Sequence, residues 1–316
     1  MIAEAPSMNS PVVRARPQRP KKFVNLRKFV RHPFAIAGMS ILGIFVILGV
    51  FAPIIAPYNP QASIFIPMQA PSWQHLLGTT NTGQDIFSQF VWGAQTTLMV
   101  GLGGGLITVV LALLIGMTAG YLGGTVDAIL NTMSNIFLVL PSLALLIVIE
   151  SYLKGTSPLI NGLIIGLTGW AWGSRVFRAQ TMSFGSRDFV VAAKLSGMSN
   201  LRIMWTEILP NMYSIIASNL TFACLGAMLA EAGLAYLGYE NLNANSWGTL
   251  LYWAGNGGAM LSGAWWWFVP PGAAIALCGM SFTMMNFAMD QISNPRLATV
   301  KKRRKPRVQS NSGVGA

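Results

Sequence analysis

Charge is what this sequence has least of. Of 316 residues only 9% are Asp, Glu, Lys or Arg, and 9 acidic residues stand against 21 basic ones. A soluble domain carries about 25% charged residues. The deficit, joined to 53% hydrophobic residues and a mean hydropathy of +0.52, excludes an ordinary water-soluble fold. Cysteine and histidine occur twice each. Cys224 and Cys278 fall inside apolar runs, where a thiol serves as a small packing residue. His32 and His75 fall on opposite expected sides of a membrane, so no His/Cys metal cluster can form. No Gly-x4-Gly-Lys-Ser/Thr stretch occurs, which excludes a phosphate-cradling loop on this chain. No Ser/His/Asp or Cys/His set converges on one side, and catalysis by this chain is not expected.

The basic residues that are present sit at the ends. Eight precede position 32 and seven follow position 295, while 58–92 and 238–264 contain no Lys or Arg. Basic flanks beside apolar spans follow from anionic cytoplasmic lipid and the positive-inside rule. With little aromatic interleaving and no recognition motif, they do not indicate nucleic acid. The expected organisation is a basic cytoplasmic arm over 1–33, a membrane domain over 34–292 and a basic cytoplasmic tail over 293–316. The first apolar run is long enough to span and lies too far from the start for a secretory signal.

Crossing a core of about 30 Å takes about 20 residues at 1.5 Å each. The apolar runs give six expected spans, near 34–57, 96–121, 128–149, 159–181, 211–237 and 268–289. The second contains Gly101, Gly103, Gly104 and Gly105, then Gly116-x-x-x-Gly120; the fourth contains Gly162-x-x-x-Gly166, Gly169 and Gly173. Such glycines permit close helix packing, and Gly101-x-Gly103 lacks the spacing of a nucleotide fingerprint. Glu150 and Lys154 are one helical turn apart and suit a pair at the outer end of the third span. Arg175 and Arg178 suit snorkelling at the inner end of the fourth. Trp265, Trp266 and Trp267 suit an outer interfacial belt. Glu231 is the acid that falls within an apolar run away from both ends. It is either a functional carboxylate or a group near the outer interface that caps neighbouring backbone. With the arm inside, only Lys154 of the 21 basic residues lies outside, a distribution that fits one orientation.

One cytoplasmic stretch breaks the apolar pattern: Ser186 to Asn211, SRDFVVAAKLSGMSNLRIMWTEILPN. It reads as two short helices broken at Gly197. Asp188 or Ser186 is a candidate cap for the first, and Ser199 for the second. Gly197 supplies a left-handed turn, and Pro210 stops or kinks the second helix. This helix–Gly–helix is too polar to cross a bilayer and too apolar to stay solvated alone, so its apolar side belongs against a partner.

Val191-Ala192-Ala193, Gly197 and Ile208-Leu209-Pro210 resemble the cytoplasmic EAA loop of permease subunits in bacterial ABC importers, with Val191 in place of the name-giving Glu. Phe189-Val190-Val191-Ala192-Ala193 and the closing Ile208-Leu209-Pro210-Asn211 are similar to the dipeptide and oligopeptide branch, C-type subunit. So are Gly78-Thr79, Gly83, Asp85, Phe87-Ser88, Leu237-Gly238, Ser246-Trp247-Gly248 and Asn294-Pro295-Arg296. Gln84 replaces the usual Arg, and Asn294 the usual Asp.

The resemblance covers about residues 25–297. It implies an all-α membrane fold of the type I importer kind, with six transmembrane helices and a coupling loop at 186–210. It implies a non-catalytic half-pore paired with a second permease as a heterodimer, two ATP-binding subunits that hold ATP and Mg, and an extracytoplasmic solute-binding protein. The setting is a prokaryotic plasma membrane with both termini cytoplasmic. The ATPase-coupling residues it implies are Asp188, Phe189, Ala192, Ala193, Gly197, Leu209 and Pro210. Peptides are the implied solute, with nickel chelates or oligosaccharides as alternatives within the branch. An ion-coupled carrier is the alternative from another class, with Glu231 as its one intramembrane acid.

Overall fold

The computed structural model describes residues 28–153 and 157–293. Among these the regular structure is helical, and one isolated bridge joins Thr79 to Asp85. Helix α1 (Pro33–Val50) and the short α2 (Ala52–Ile55) lead into a non-helical segment. Helix α3 (Ile86–Leu122) follows, 37 residues long. It starts ten residues before the expected second span because Asp85 caps it. One Asp85 carboxylate oxygen accepts from the Ser88 backbone N–H at 2.8 Å and its hydroxyl at 2.7 Å, while the other faces His75 Nδ1 at 2.8 Å. That set satisfies N-terminal amides that α3 would otherwise leave unpaired.

The expected third span is not one helix. Helices α4 (Gly124–Val139) and α5 (Ser142–Leu153) meet at an 85° bend. Pro141 supplies no N–H and disfavours helix at Leu140, whose ψ of 127° is extended. The fourth is divided as well, into α6 (Pro158–Thr168) and α7 (Trp170–Gly185), joined at Gly169. Helices α10 (Tyr213–Tyr236) and α12 (Trp265–Ser293) are long, and α11 (Trp247–Asn256) lies between them. Among the described residues four helices are long and apolar enough to span a membrane, and the bent pair makes five; α6 is shorter. The expected spans thus correspond to four continuous helices, one bent pair, and the shorter apolar α6 running into α7.

Helix α3 is the axis of the bundle, making its most extensive contacts with α7, α10 and α6. The glycines explain the closeness. A Cβ on Gly105 would stand 2.6 Å from the Cα of Cys224 in α10, and one on Gly120 would stand 2.5 Å from the Arg178 carbonyl oxygen in α7. Gly166 meets Ile107 and Gly173 meets Ala112 in the same way. Gly103 departs from the expectation, with nothing within 4 Å of its Cβ position. Cys224 and Cys278 are buried free thiols in the core shared by α1, α3, α10 and α12.

Arg178 and Arg175 both have partners on α4. Arg178 forms a two-point pair with Asp127 of α4, at 2.5 and 2.6 Å, and Arg175 donates to Asn135 at 2.6 Å. A fork-on-carboxylate contact fixes orientation in a way a lipid headgroup would not. The tryptophan belt is corrected too: Trp265 is exposed, but Trp267 is buried in the core and Trp266 covers Gly78. Lys154, the basic tail and all but the end of the basic arm lie outside the described residues.

Overpacking a close helix contact costs about 1–3 kcal/mol or more. Gly105→Val is expected to lower the thermal midpoint of the purified protein clearly. Gly103→Ala, in open space, is expected to leave it unchanged or slightly raised, as scored by thermal unfolding in detergent.

Candidate coupling loop and buried carboxylates

The segment between α7 and α10 folds as α8 (Asp188–Leu195) and α9 (Asn200–Ile203), then one π turn (Met204–Ile208) and one 3-10 turn (Leu209–Asn211). Gly197 separates α8 from α9 at φ +77°, the left-handed conformation that glycine adopts at no steric cost. The expected α8 cap is displaced, with Arg187 at the N-cap position and Asp188 first inside; Ser199 holds the N-cap of α9 as expected, without a side-chain hydrogen bond. Pro210 lies in the 3-10 turn that follows the π turn, where its missing N–H removes one helical bond.

The loop has two faces. Val190, Ala193, Ile203, Met204 and Ile208 are buried and join Met117 of α3 and Trp170 and Phe177 of α7 in one core. Leu209 is half-buried against it. Lys194 Nζ lies 4.9 Å from the centre of the Tyr121 ring, and the Tyr121 hydroxyl donates to Asn200 at 3.3 Å. The loop is thus fastened to the end of the longest helix. Its other face is apolar and exposed: Phe189, Val191, Leu195, Leu201 and Trp205 are 39–85% accessible, with Ala192 among them. Ala193 therefore stands apart from Ala192; it packs inside the chain and does not face outward.

Glu231 lies at the opposite end of α10, completely buried, with no hydrogen-bond partner for either carboxylate oxygen. Thr97, Ser246 and Glu240 are its polar neighbours. It accepts no backbone hydrogen bond, so it does not act as a cap. Glu240, in the segment after α10, is buried as well, and Asn161 of α6 donates to it through a short hydrogen bond. Burial pushes the Glu240 carboxyl up to about 7, against the Asn161 hydrogen bond that lowers it and with the Glu150 charge adding to the rise. Sequence reasoning singled out Glu231 but missed Glu240 and Asn161. Glu240 lies outside the apolar runs and Asn161 inside the fourth, and 79 positions separate them.

Nearby, Ser246 and Thr249 cap α11 reciprocally, and Trp247 is wholly buried with its Nε1 donating to the Phe90 carbonyl at 3.0 Å. A Cβ on Gly248 would meet Ala232 at 2.8 Å. The Ser-Trp-Gly motif is therefore a packing element beside the carboxylates, whereas Leu237 is exposed and Gly238 lies against Tyr252.

A bundle built on a long glycine-lined helix, with several helices apolar enough to span and a two-faced loop at one end, has the architecture of a multi-pass membrane protein. Residues 112–299 match the family model for binding-protein-dependent transport system inner membrane components, and residues 25–76 match that for the N-terminal transmembrane domain of oligopeptide transport permease C. The chain belongs to this family of ABC importer permeases, with the type I fold. A putative peptide transport system permease of Brucella abortus is 32% identical over 275 residues, covering 86% of this chain and 90% of that protein. The dipeptide transport system permease DppC of Bacillus subtilis is 30% identical, covering 86% and 84%. The oligopeptide transport system permease OppC of Mycobacterium tuberculosis is 31% identical over 217 residues, covering 68% and 74%.

A carboxyl whose folded pKa lies above its unfolded value binds more protons when folded, so stability falls as pH rises from about 4.5 to about 7. Glu240→Gln removes a buried charge worth up to ~3 kcal/mol on that scale. The variant is expected to be more heat-stable than the parent at pH 8 and equal to it at pH 4.5, by thermal unfolding at both pH values.

Proposed function

We propose that this chain is one of two paired permease subunits in an ATP-driven peptide importer, and that the loop at 186–210 is where a separate ATPase drives it. The chain's membership of the importer family supports the first part, and the peptide-permease relatives across most of its length support the solute class. The observation that carries the second is the loop's division into a face fastened to α3 and α7 and an exposed apolar face. An exposed patch of this kind marks a protein contact.

In this reading both termini and the loop are cytoplasmic, in a prokaryotic plasma membrane. Charge bias supports that orientation, since the far-end segments over 58–92 and 238–264 carry no Lys or Arg. ATP and Mg bind to the partner ATPases, and this chain performs no catalysis. When the ATPase pair closes, its surface carries Phe189, Ala192, Leu201 and Trp205 with it. Because Val190, Ile203 and Ile208 are embedded beside Met117 and Phe177, the displacement passes to α3 and α7 directly. These helices meet backbone to backbone at Gly116 and Gly120, so they tilt together, and the half-pore switches access as a rigid body.

A solute-binding protein would meet the far end. There a pocket of about 230 Å³ is lined by uncharged amides, Gln61, Gln84, Asn243 and Asn245 among them, beside Trp253.

Purification of the chain from its native membrane is expected to bring an ATPase with it; a carrier working alone would not. Leu201→Asp is expected to weaken that association by about 10-fold or more, since a charge enters an apolar contact. Gly197→Asp places a side chain at φ +77° and is expected to leave the protein inserted while abolishing ATP-dependent uptake of labelled dipeptide. Normal uptake by Gly197→Asp at normal expression would remove the loop from this role.

A further inference from the structure

The bend between α4 and α5 leaves Leu140, Pro141, Ser142, Leu143 and Ala144 exposed on the surface of the chain. A break in a membrane helix frees backbone N–H and C=O groups, and hydrocarbon cannot satisfy them. That side of the bundle therefore meets either protein or water. Ser142 opens onto a cavity of about 290 Å³ among α3, α5, α6, α7 and α10.

The cavity wall differs from the rest of the exposed membrane surface. Elsewhere large aliphatic side chains point outward, such as Ile44 and Ile47 of α1 and Leu106 and Val110 of α3. Here Ser142, Thr108, Thr168 and Asn219 are set among apolar neighbours such as Leu146, with the exposed rings of Trp172 and Phe222 and the open Gly226. No charged residue lines it. The Thr168 hydroxyl donates to the Ile164 carbonyl at 2.9 Å and Asn219 Nδ2 to the Ile215 carbonyl at 3.0 Å. The Asn219 side-chain oxygen remains as an acceptor on the wall. Small residues, two ring faces and neutral hydrogen-bonding groups suit an amide backbone in transit, which needs no counter-charge and is held by none.

We infer that the cavity beside the α4–α5 bend is this chain's wetted wall of the translocation pathway, contacting the uncharged backbone of the solute. The solute class rests on the peptide reading above; the wetting does not.

The test uses the complete transporter in membrane vesicles, with Cys224 and Cys278 replaced by Ala. Single cysteines are placed as Ser142→Cys, Asn219→Cys and Gly226→Cys, with Ile44→Cys as the lipid-facing control. A charged, water-borne methanethiosulfonate reacts with thiolate, and a thiol in hydrocarbon stays protonated. The three wall positions are expected to react on the order of 100-fold faster than Ile44→Cys, from at least one side of the membrane. Equal rates at all four positions would overturn the inference, and so would capture of the wall cysteines solely in crosslinks to a second subunit. Labelling slowed by dipeptide during ATP turnover supports contact with solute. Fast labelling that dipeptide leaves unchanged, in a transporter that takes up no dipeptide, overturns the solute class and keeps the wetted wall.

Discussion

Contact between backbones along α3 is the constraint on which the rest depends. Gly104, Gly105, Gly116 and Gly120 bring three other helices closer than any side chain would allow. At such a distance dispersion acts over long stretches of main chain, and relative sliding would create clashes within a fraction of an ångström. The consequence is stiffness. A displacement applied at one end of α3 must appear along its whole length, because no compliant layer separates it from α7 or α10.

Placing the loop at the end of this stiff unit makes it useful. Val190, Ile203 and Ile208 share one core with Met117 and Phe177, and the Asp127–Arg178 pair ties α4 to the same helix end. The opposite end is closed differently. Trp247, Ser246 and Gly248 seal it around Glu231 and Glu240, two buried acids whose repulsion and desolvation are costly. In the proposed reading movement enters at the stiff loop end, while the far end holds the two buried acids.

Much of this was legible in the sequence. The glycine stripes and the turn at Gly197 each follow from a short-range rule, and both reappear in the structure. What escaped depends on geometry that hydropathy does not encode. Leu140-Pro141-Ser142 lies in a continuous apolar run, so the bend is invisible to a count of apolar residues although Pro141 signalled it. Ala192 and Ala193 look equivalent in sequence, yet the helical turn of about 100° between neighbours sends one out and one in. Arg178 was read as a lipid-facing cation because its partner, Asp127, is 51 positions away. Trp265, Trp266 and Trp267 read as one belt, but successive helical positions cannot share a face.

The central claim is that loop and α3 move as one body. Spin labels at Leu195, exposed on α8, and Leu106, exposed midway along α3, report it directly through their separation during ATP binding and hydrolysis by the assembled transporter. The account predicts one narrow distance distribution that stays fixed through the cycle while labels across the two permease subunits change separation. A Leu195–Leu106 distance that shifts with nucleotide would contradict it.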